Sequence, residues 1–321
     1  MLSGMNQNII QHKELISIIV PCYNEEGNIA KLHLKIREEM KKLDLNYELI
    51  FIDDGSTDNT LEIIESLSKD ETRIRLISFS RNFGHQAAII AGLDYCKGDC
   101  LIMMDADLQH PPELIPEMIL KWRNGYEIVN TIREDAHNLP LFKRHTSKGF
   151  YKLINVISKT KIEAGSADFR LMDRKVVDSF KEIGEYSLFM RGMINWIGFT
   201  STSIQYKPND RFSGKSKYSL KKMVLFALDG ITSFSSAPLH ISMVFGMLIS
   251  MTSFLYMIYA LYIHFFTDRA LEGWTSLIIS ILFIGGIQLI SIGILGEYIS
   301  KIFYEIKQRP RYLVSKKIGF D

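Results

Sequence analysis

Three short polar segments hold most of the residues in this chain that could do chemistry. They are Pro21-Cys22-Tyr23-Asn24-Glu25-Glu26, Asp53-Asp54-Gly55-Ser56-Thr57-Asp58 and Asp105-Ala106-Asp107-Leu108-Gln109, and each directly follows an apolar run. Carboxylates gathered at neighbouring strand tips repel one another unless a cation or a donor-rich ligand sits among them. Asp105 and Asp107 are two residues apart. In extended chain such positions project to the same side, so both carboxylates and Gln109 are expected to converge. Hard oxygen ligands in that arrangement suit Mg²⁺ or Mn²⁺, held by few protein groups and completed by phosphate oxygens and water. A lone D-x-D fits a solvated turn equally well. Its place behind an apolar strand, with Asp53 and Asp54 behind another, points to a metal–diphosphate site. Neither GxGxxG nor GxxxxGK[ST] occurs, so a nucleotide would be held by acids rather than by a glycine cradle.

A fourth segment, Arg81-Asn82-Phe83-Gly84-His85-Gln86, also follows an apolar run and opens a helical stretch. Its N–H groups could help to bind phosphate, or the segment is only a tight turn with an N-cap. His85 is a secondary option as a base, because an isolated histidine more often packs or caps. Cys22, Cys96 and Cys100 suit a reducing compartment; no second Cys/His pair completes a zinc set, and they read as small, partly buried thiols.

The elements that must position these residues alternate between strand and helix. Strands are predicted at 15–21, 47–53, 73–79, 100–104 and 127–132, with helices at 28–43, 60–69, 85–96 and 112–124 between them. Such alternation implies an α/β domain, a mostly parallel sheet covered on both faces, whose ligands bind beyond the carboxyl ends of the strands. Residues 136–165 read as a charged loop leading into a helix. Beyond it come a strand at 166–172, helices at 174–183 and 187–197, and a strand at 199–206.

The 321 residues carry a net charge of +2, which decides nothing about partners, but the apolar residues are unevenly spread. Residues 230–267 and 273–296 contain no Asp, Glu, Lys or Arg. Each run is long enough to cross about 30 Å of hydrocarbon at about 1.5 Å per residue. Arg211, Lys215, Lys217, Lys221 and Lys222 precede the first run, and Lys301, Lys307, Arg309, Arg311, Lys316 and Lys317 follow the second. Basic flanks stay on the cytoplasmic side, so both termini and the large amino-terminal part are expected there. The first fourteen residues have no apolar stretch and do not read as a secretory signal. Residues 219–235 place Leu220, Val224, Leu225, Leu228 and Ile231 at helical spacing beside two lysines, the pattern of a helix in the membrane interface. The expected domains are 1–218 (catalytic), 219–237 (interfacial helix), 238–302 (two-helix anchor) and 303–321 (basic tail).

The series SIIVPCYNEEGNI, DDGSTDNT, RNFGHQAAIIAGL and DADLQHPPE resembles family 2 glycosyltransferases of GT-A (Rossmann-like) fold. Within that family the chain resembles the dolichol-phosphate-mannose-synthase-like and bactoprenol glucosyltransferase enzymes, over nearly its whole length. The resemblance implies that Pro21, Tyr23, Glu25 and Asp53 hold the nucleotide, together with Asp105, and that Asp105, Asp107 and Gln109 bind the cation on the donor diphosphate. Gly165-Ser166-Ala167-Asp168-Phe169-Arg170 is similar to the acceptor-side motif, with Asp168 facing the reacting carbon. Arg211-Phe212-Ser213-Gly214-Lys215-Ser216-Lys217 is similar to the mobile loop that closes over the donor, which would make Arg211 and Lys217 catalytic with Asp107 and Asp168. Arg133, Arg144 and Ser147 fall where relatives bind the lipid phosphate.

The activity implied is metal-dependent, inverting transfer of a sugar from a UDP-sugar, glucose or N-acetylglucosamine, to undecaprenyl phosphate, for later use in a cell-surface glycan. Relatives of this kind form tetramers, so a homo-oligomer is expected, and Ser242, Gly246 and Ser250 form a small-residue stripe suited to helix packing. A processive polysaccharide synthase is disfavoured by the missing Q-x-x-R-W element and by only two spans. Also considered is a membrane carrier with a regulatory sugar-nucleotide domain; the intact acids argue against it. A dehydrogenase lacks its glycine fingerprint, and nucleic-acid binding is disfavoured because the basic residues cluster beside the spans. Asp107→Ala is expected to abolish transfer, checked by turnover with added Mg²⁺ or Mn²⁺; substantial metal-dependent turnover would remove Asp107 from the metal site.

Overall fold

The apolar runs become strands of one eight-stranded sheet. The computed structural model describes residues 14–134, 166–185, 190–208, 232, 235–266 and 273–320. These fall into two compact units, one within Met1–Tyr151, Lys161–Tyr218 and Pro310–Asp321, the other within Lys152–Thr160 and Ser219–Arg309.

In the first unit, β1 (Leu15–Cys22), β2 (Asn46–Asp53), β3 (Ile74–Phe79) and β4 (Cys100–Met103) run parallel in the order β4-β1-β2-β3. Helices α1 (Ile29–Leu43), α2 (Thr60–Asp70) and α3 (His85–Tyr95) connect them. A short 3₁₀ turn at Pro112–Leu114 and α4 (Ile115–Arg123) lead to β5 (Ile128–Arg133). β6 (Ser166–Asp173) lies between β4 and β5, antiparallel to both, and β7 (Ser201–Tyr206) runs parallel to β5 at the edge. Two further helices, α5 (Arg174–Glu182) and α6 (Met190–Trp196), precede β7.

Parallel strands are buried on both faces, which is why β1 and β2 are apolar almost without alternation. Ile16, Ile18, Val20, Leu49 and Phe51 join Ile29, Leu32, Ile36 and Met40 of α1 in one cluster. Ile19 faces the other way, towards α3, where a Cβ on Gly92 would lie 2.7 Å from its Cδ1. Each such side chain contributes about 1.5–3 kcal/mol when fully removed from water. Cys22, Cys96 and Cys100 are all buried free thiols, and burial raises each above its ordinary pKa, so none is set up as a nucleophile.

One strand was not expected from the sequence. Val314–Ile318, inside the stretch read as a basic tail, forms β8 and pairs antiparallel with β3 at the far edge of the sheet. Five residues with two lysines carry too little apolar pattern to stand out from a charged tail.

The second unit contains α7 (Ala237–Phe266) and α8 (Trp274–Lys307). Ala237–Ile263 and Leu277–Lys307 have mean hydropathies of 1.9 and 2.4, and none of their most apolar stretch is buried within the chain. That exposure argues against soluble core helices, which bury their apolar surface, and makes the pair candidate membrane spans. Ser242 Oγ meets Ser291 Oγ at 2.6 Å, so the first member of the small-residue stripe joins the two helices. Gly246 has no described atom within 4 Å of where a Cβ would stand. The interfacial helix expected over 219–237 lies almost wholly outside the described residues.

The loops at the strand tips fit closely. Gly55 takes φ +69°, and a Cβ there would lie 2.6 Å from the Arg81 carbonyl carbon and 2.8 Å from the Asn82 nitrogen. Gly55→Ala is expected to cost about 2 kcal/mol or more, because both the left-handed backbone and the contact resist a side chain. The melting temperature of the purified protein should fall by roughly 4–8 °C; an unchanged value would show that the two loops do not touch.

Candidate active site

The chain reverses direction across the sheet beside β1. From β1 it moves outward to β2 and β3, and then returns through β4 on the other side. Open α/β sheets leave a crevice at such a switch point, outside the carboxyl ends of the strands. Here those ends carry Cys22–Glu26 and Met104–His110.

The loop after β1 is bonded to the loop after β2 at successive residues. Asn24, in left-handed conformation at φ 56°, donates its N–H to Ser56 Oγ at 3.0 Å and accepts from Thr57 N–H at 2.8 Å. Glu25 N–H donates to Thr60 Oγ1 at 2.8 Å, and the Glu26 carboxylate accepts from the Asn59 N–H at 3.1 Å. Pro21 is buried beneath this lacing, Tyr23 is exposed, and the half-buried Glu25 side chain accepts from Asn28 Nδ2 at 2.6 Å. Asn24, Glu25 and Glu26 are thus tied to the loop after β2.

Asp53 and Asp54 serve different neighbours. Asp53 is 1% exposed; its Oδ1 accepts from Ser56 N–H at 3.0 Å and its Oδ2 from Ser78 Oγ at 2.9 Å. Asp54 accepts from the N–H groups of Phe83 at 2.6 Å and Gly84 at 2.9 Å. Burial pushes the Asp54 carboxyl up, against the pull of those two N–H groups. Asp54 therefore holds the turn that opens α3, whose first residue is His85. These bonds fit the tight-turn reading of Arg81–Gln86, while the Gly84 N-cap makes no side-chain cap hydrogen bond.

Beyond β4 the geometry corrects one expectation. The strand stops at Met103, and Asp105, Asp107 and Gln109 lie in a turn rather than on extended chain. Leu108 takes φ 63°, a conformation costly for a branched side chain, by about 1–3 kcal/mol. Asp107 Oδ1 accepts from Gln109 N–H at 3.1 Å. The turn brings His110 back to Asp105, whose N–H donates to His110 Nδ1 at 2.9 Å. In the neutral ring this leaves the proton on Nε2, which lies 3.7 Å from Asp105 Oδ2. His110 is 5% exposed and stacks on Phe169, with ring centroids 5.2 Å apart.

Asp168 reaches the same place through strand register. β6 runs against β4 with Arg170 opposite Met103. Asp168 stands two residues before Arg170 in β6, and Asp105 two residues beyond Met103, where β4 has ended. His85 Nε2 lies 3.5 Å from Asp105 Oδ1 and 3.9 Å from Asp168 Oδ2, between the two carboxylates. The guanidinium of Arg170, 1% exposed, approaches Asp168 Oδ1 at 3.6 Å. Tyr206, at the end of β7, stands opposite Arg133. Its hydroxyl is pushed up to about 12 by burial, with Asp105, Asp107 and Asp168 adding to the shift and Arg133 opposing it. All three carboxylates and Arg133 are thus within electrostatic reach of one phenol.

Asp105 Oδ1 is buried and has no hydrogen-bond partner among the described residues. A buried carboxylate oxygen left without a donor is costly, and it fits a hard divalent cation. Among the described residues no group of three or more His, Cys, Asp and Glu is placed to hold a metal ion. The carboxylates of Asp105 and Asp107 fit an open site of the Mg²⁺ or Mn²⁺ kind, where the substrate completes the ligand set. Arg144, Ser147, Arg211 and Lys217 lie outside the described residues.

Sequence reasoning gave no role to His110, Tyr206 or Arg170, and His85 only a secondary one. The signal for His110 and Arg170 was present, since both stand inside quoted motifs. Tyr206 had none, because only β7 pairing with β5 brings it near the acids.

Comparison with known proteins bears on this geometry. Residues 17–180 match Glycosyl transferase family 2, and residues 237–302 match the GtrB C-terminal hairpin. The glycosyltransferase YkcC of Bacillus subtilis (strain 168) is 46% identical, covering 95% of this chain and 94% of its own. The SfII prophage-derived bactoprenol glucosyl transferase of Shigella flexneri is 42% identical, with 94% and 97% covered. The prophage bactoprenol glucosyl transferase homolog of Escherichia coli (strain K12) is 41% identical, with 94% and 98% covered. Among solved structures, mannosyl-3-phosphoglycerate synthase from Rubrobacter xylanophilus superposes with a TM-score of 0.50 at 14% identity, covering 68% of this chain and 73% of its own. At that identity the likeness is one of fold.

The contact between His110 and the Asp105 backbone can be tested directly. His110→Phe keeps an aromatic ring but removes the acceptor, whereas His110→Asn keeps an oxygen near the Nδ1 position. Mn²⁺ affinity, measured by titration of the purified protein, is expected to fall roughly tenfold in the Phe variant, the worth of one hydrogen bond, and less in the Asn variant. Equal affinities in both variants and the parent would show that His110 does not orient Asp105.

Proposed function

This chain belongs to glycosyl transferase family 2, and from that premise we propose that it transfers a sugar from a nucleotide donor to a polyprenyl phosphate at the cytoplasmic face of a membrane. The observation that carries the reading is the convergence of Asp105 and Asp168 on His85, with Asp107 in the same turn as Asp105, at the switch point of the sheet. A long apolar hairpin in the same chain would keep this site within reach of a lipid head group. Two relatives named for bactoprenol, a polyprenol, support that acceptor, and the same names favour glucose over N-acetylglucosamine. Basic residues on both flanks of the hairpin support the cytoplasmic orientation.

In this reading Tyr23, Glu25 and Asp53, above buried Pro21, receive the base and ribose of a UDP-sugar. Asp105 and Asp107, with Gln109, would hold a divalent cation, which when bound neutralises charge on the departing diphosphate. Arg211 and Lys217 add positive charge on the donor side, and Arg133, Arg144 and Ser147 receive the lipid phosphate. One oxygen of that phosphate attacks the anomeric carbon from the face opposite the leaving group. The C–O bond to the nucleoside diphosphate breaks, its electron pair leaves with the diphosphate oxygen, and the configuration inverts. A phosphate monoester has a second pKa near 6, so much of it is dianionic at pH 7 and needs no base. Asp168 is then free to orient the acceptor or to stabilise positive charge on the sugar ring. Arg170 and His85 approach its carboxylate at 3.6 and 3.9 Å. A homo-oligomer belongs to the same proposal.

The test is a transfer assay with purified protein, undecaprenyl phosphate and a panel of nucleotide sugars, with Mg²⁺, Mn²⁺ or chelator, read by mass spectrometry. A chelator-sensitive gain of one hexose on the lipid is expected with UDP-glucose, and Asp168→Asn should lose at least about tenfold in kcat. No product with any donor from intact protein would overturn the lipid acceptor.

A further inference from the structure

The chain beyond the apolar hairpin returns to the catalytic sheet at one particular place. In β8, Val314 pairs opposite Phe79 and Lys316 opposite Ser78, with a register shift between the two pairs. Ser80 N–H donates to the Leu313 carbonyl at 2.9 Å, and Ser315 Oγ donates to the Ser78 carbonyl at 3.1 Å. The Tyr312 ring stacks on Phe79, with centroids 4.9 Å apart and planes within 16°. Its hydroxyl, which burial and Asp94 keep protonated, donates to Asp94 Oδ2 of α3 at 2.7 Å. Lys316 pairs with Glu65 of α2 at 2.6 Å, and Arg311 donates to the Ile183 carbonyl at 3.2 Å. The segment is thus fastened to β3, α2, α3 and the end of α5.

The residues it fastens are those that hold the site. Ser78 Oγ is the donor to Asp53 Oδ2, and Phe79 meets Phe83 edge-on at 5.8 Å. Phe83 and Gly84 give their N–H groups to Asp54, and His85 follows at once. Without β8, the carboxyl end of β3 would be the last turn of an unpaired edge, free to fray.

We propose that Arg311–Ile318 is a positioning element of the donor site, which holds Ser78–Phe83 so that Asp53, Asp54 and His85 keep their places. The donor side is therefore completed by chain from beyond the apolar hairpin. This rests on the proposed transferase reading for its kinetic consequence, but not for its structural one. A segment that merely covered a sheet edge would affect stability alone; a positioning element changes donor affinity and local order.

Hydrogen–deuterium exchange of the full-length protein in mild detergent separates these cases. In Tyr312→Leu and Ser315→Ala, amides of residues 78–85 are expected to exchange about tenfold faster, while those of β1 and β4 keep their protection. In the transfer assay the same variants should raise the donor KM several-fold with kcat little changed. Ser315→Ala removes a single hydroxyl and decides the matter if the Leu variant does not fold. Unchanged exchange at residues 78–85, or equally faster exchange throughout the sheet, would overturn the proposal. If the parent protein transfers no sugar, the transferase reading fails, and the exchange data still decide the role of the segment.

Discussion

Asp53, Asp54, Asp105 and Asp168 stand at the ends of neighbouring strands, where like charges drive the tips apart unless each is answered locally. The chain answers them one at a time. Asp53 is taken up by Ser56 and Ser78, Asp54 by the N–H groups that open α3, and Asp168 is faced by Arg170 and His85. Asp105 is left with a buried oxygen lacking a hydrogen bond among the described residues. Two histidines face that acid, His85 at 3.5 Å from Oδ1 and His110 at 3.7 Å from Oδ2.

That arrangement explains the local irregularities. Left-handed Asn24 and Leu108 flank the switch point, and positive-φ Gly55 and Gly84 border the neighbouring loops. Each bends the backbone where a regular turn would carry a side chain away from the site. Strain of about 1–3 kcal/mol at a residue such as Leu108 persists only where the surroundings over-determine it. Here the bond from the Asp105 N–H to His110 and the stacking of His110 on Phe169 supply that support.

The second unit follows a different constraint. Two helices that bury none of their most apolar stretch within the chain have the length and composition of membrane spans. The return of the chain to β3 after the hairpin gives the sheet an edge strand with two lysines, a composition that also discourages further strand pairing.

The sequence by itself determined the strand–helix alternation, because burial on both faces demands unbroken apolar runs and those are visible without coordinates. It also determined the two long apolar helices, by length and absence of charge, and it placed acids at strand tips by simple adjacency. Only the tertiary structure decided which tips meet. Asp168 joins Asp105 because β6 is inserted antiparallel beside β4, and Tyr206 joins both because β7 adds next to β5; pairings so distant in sequence leave no local pattern. His110 could be seen but not interpreted, since its role depends on a turn through left-handed Leu108 that residue type does not announce. The tail strand was hidden for a related reason: an edge strand of five residues is defined by the partner it finds, not by its own composition.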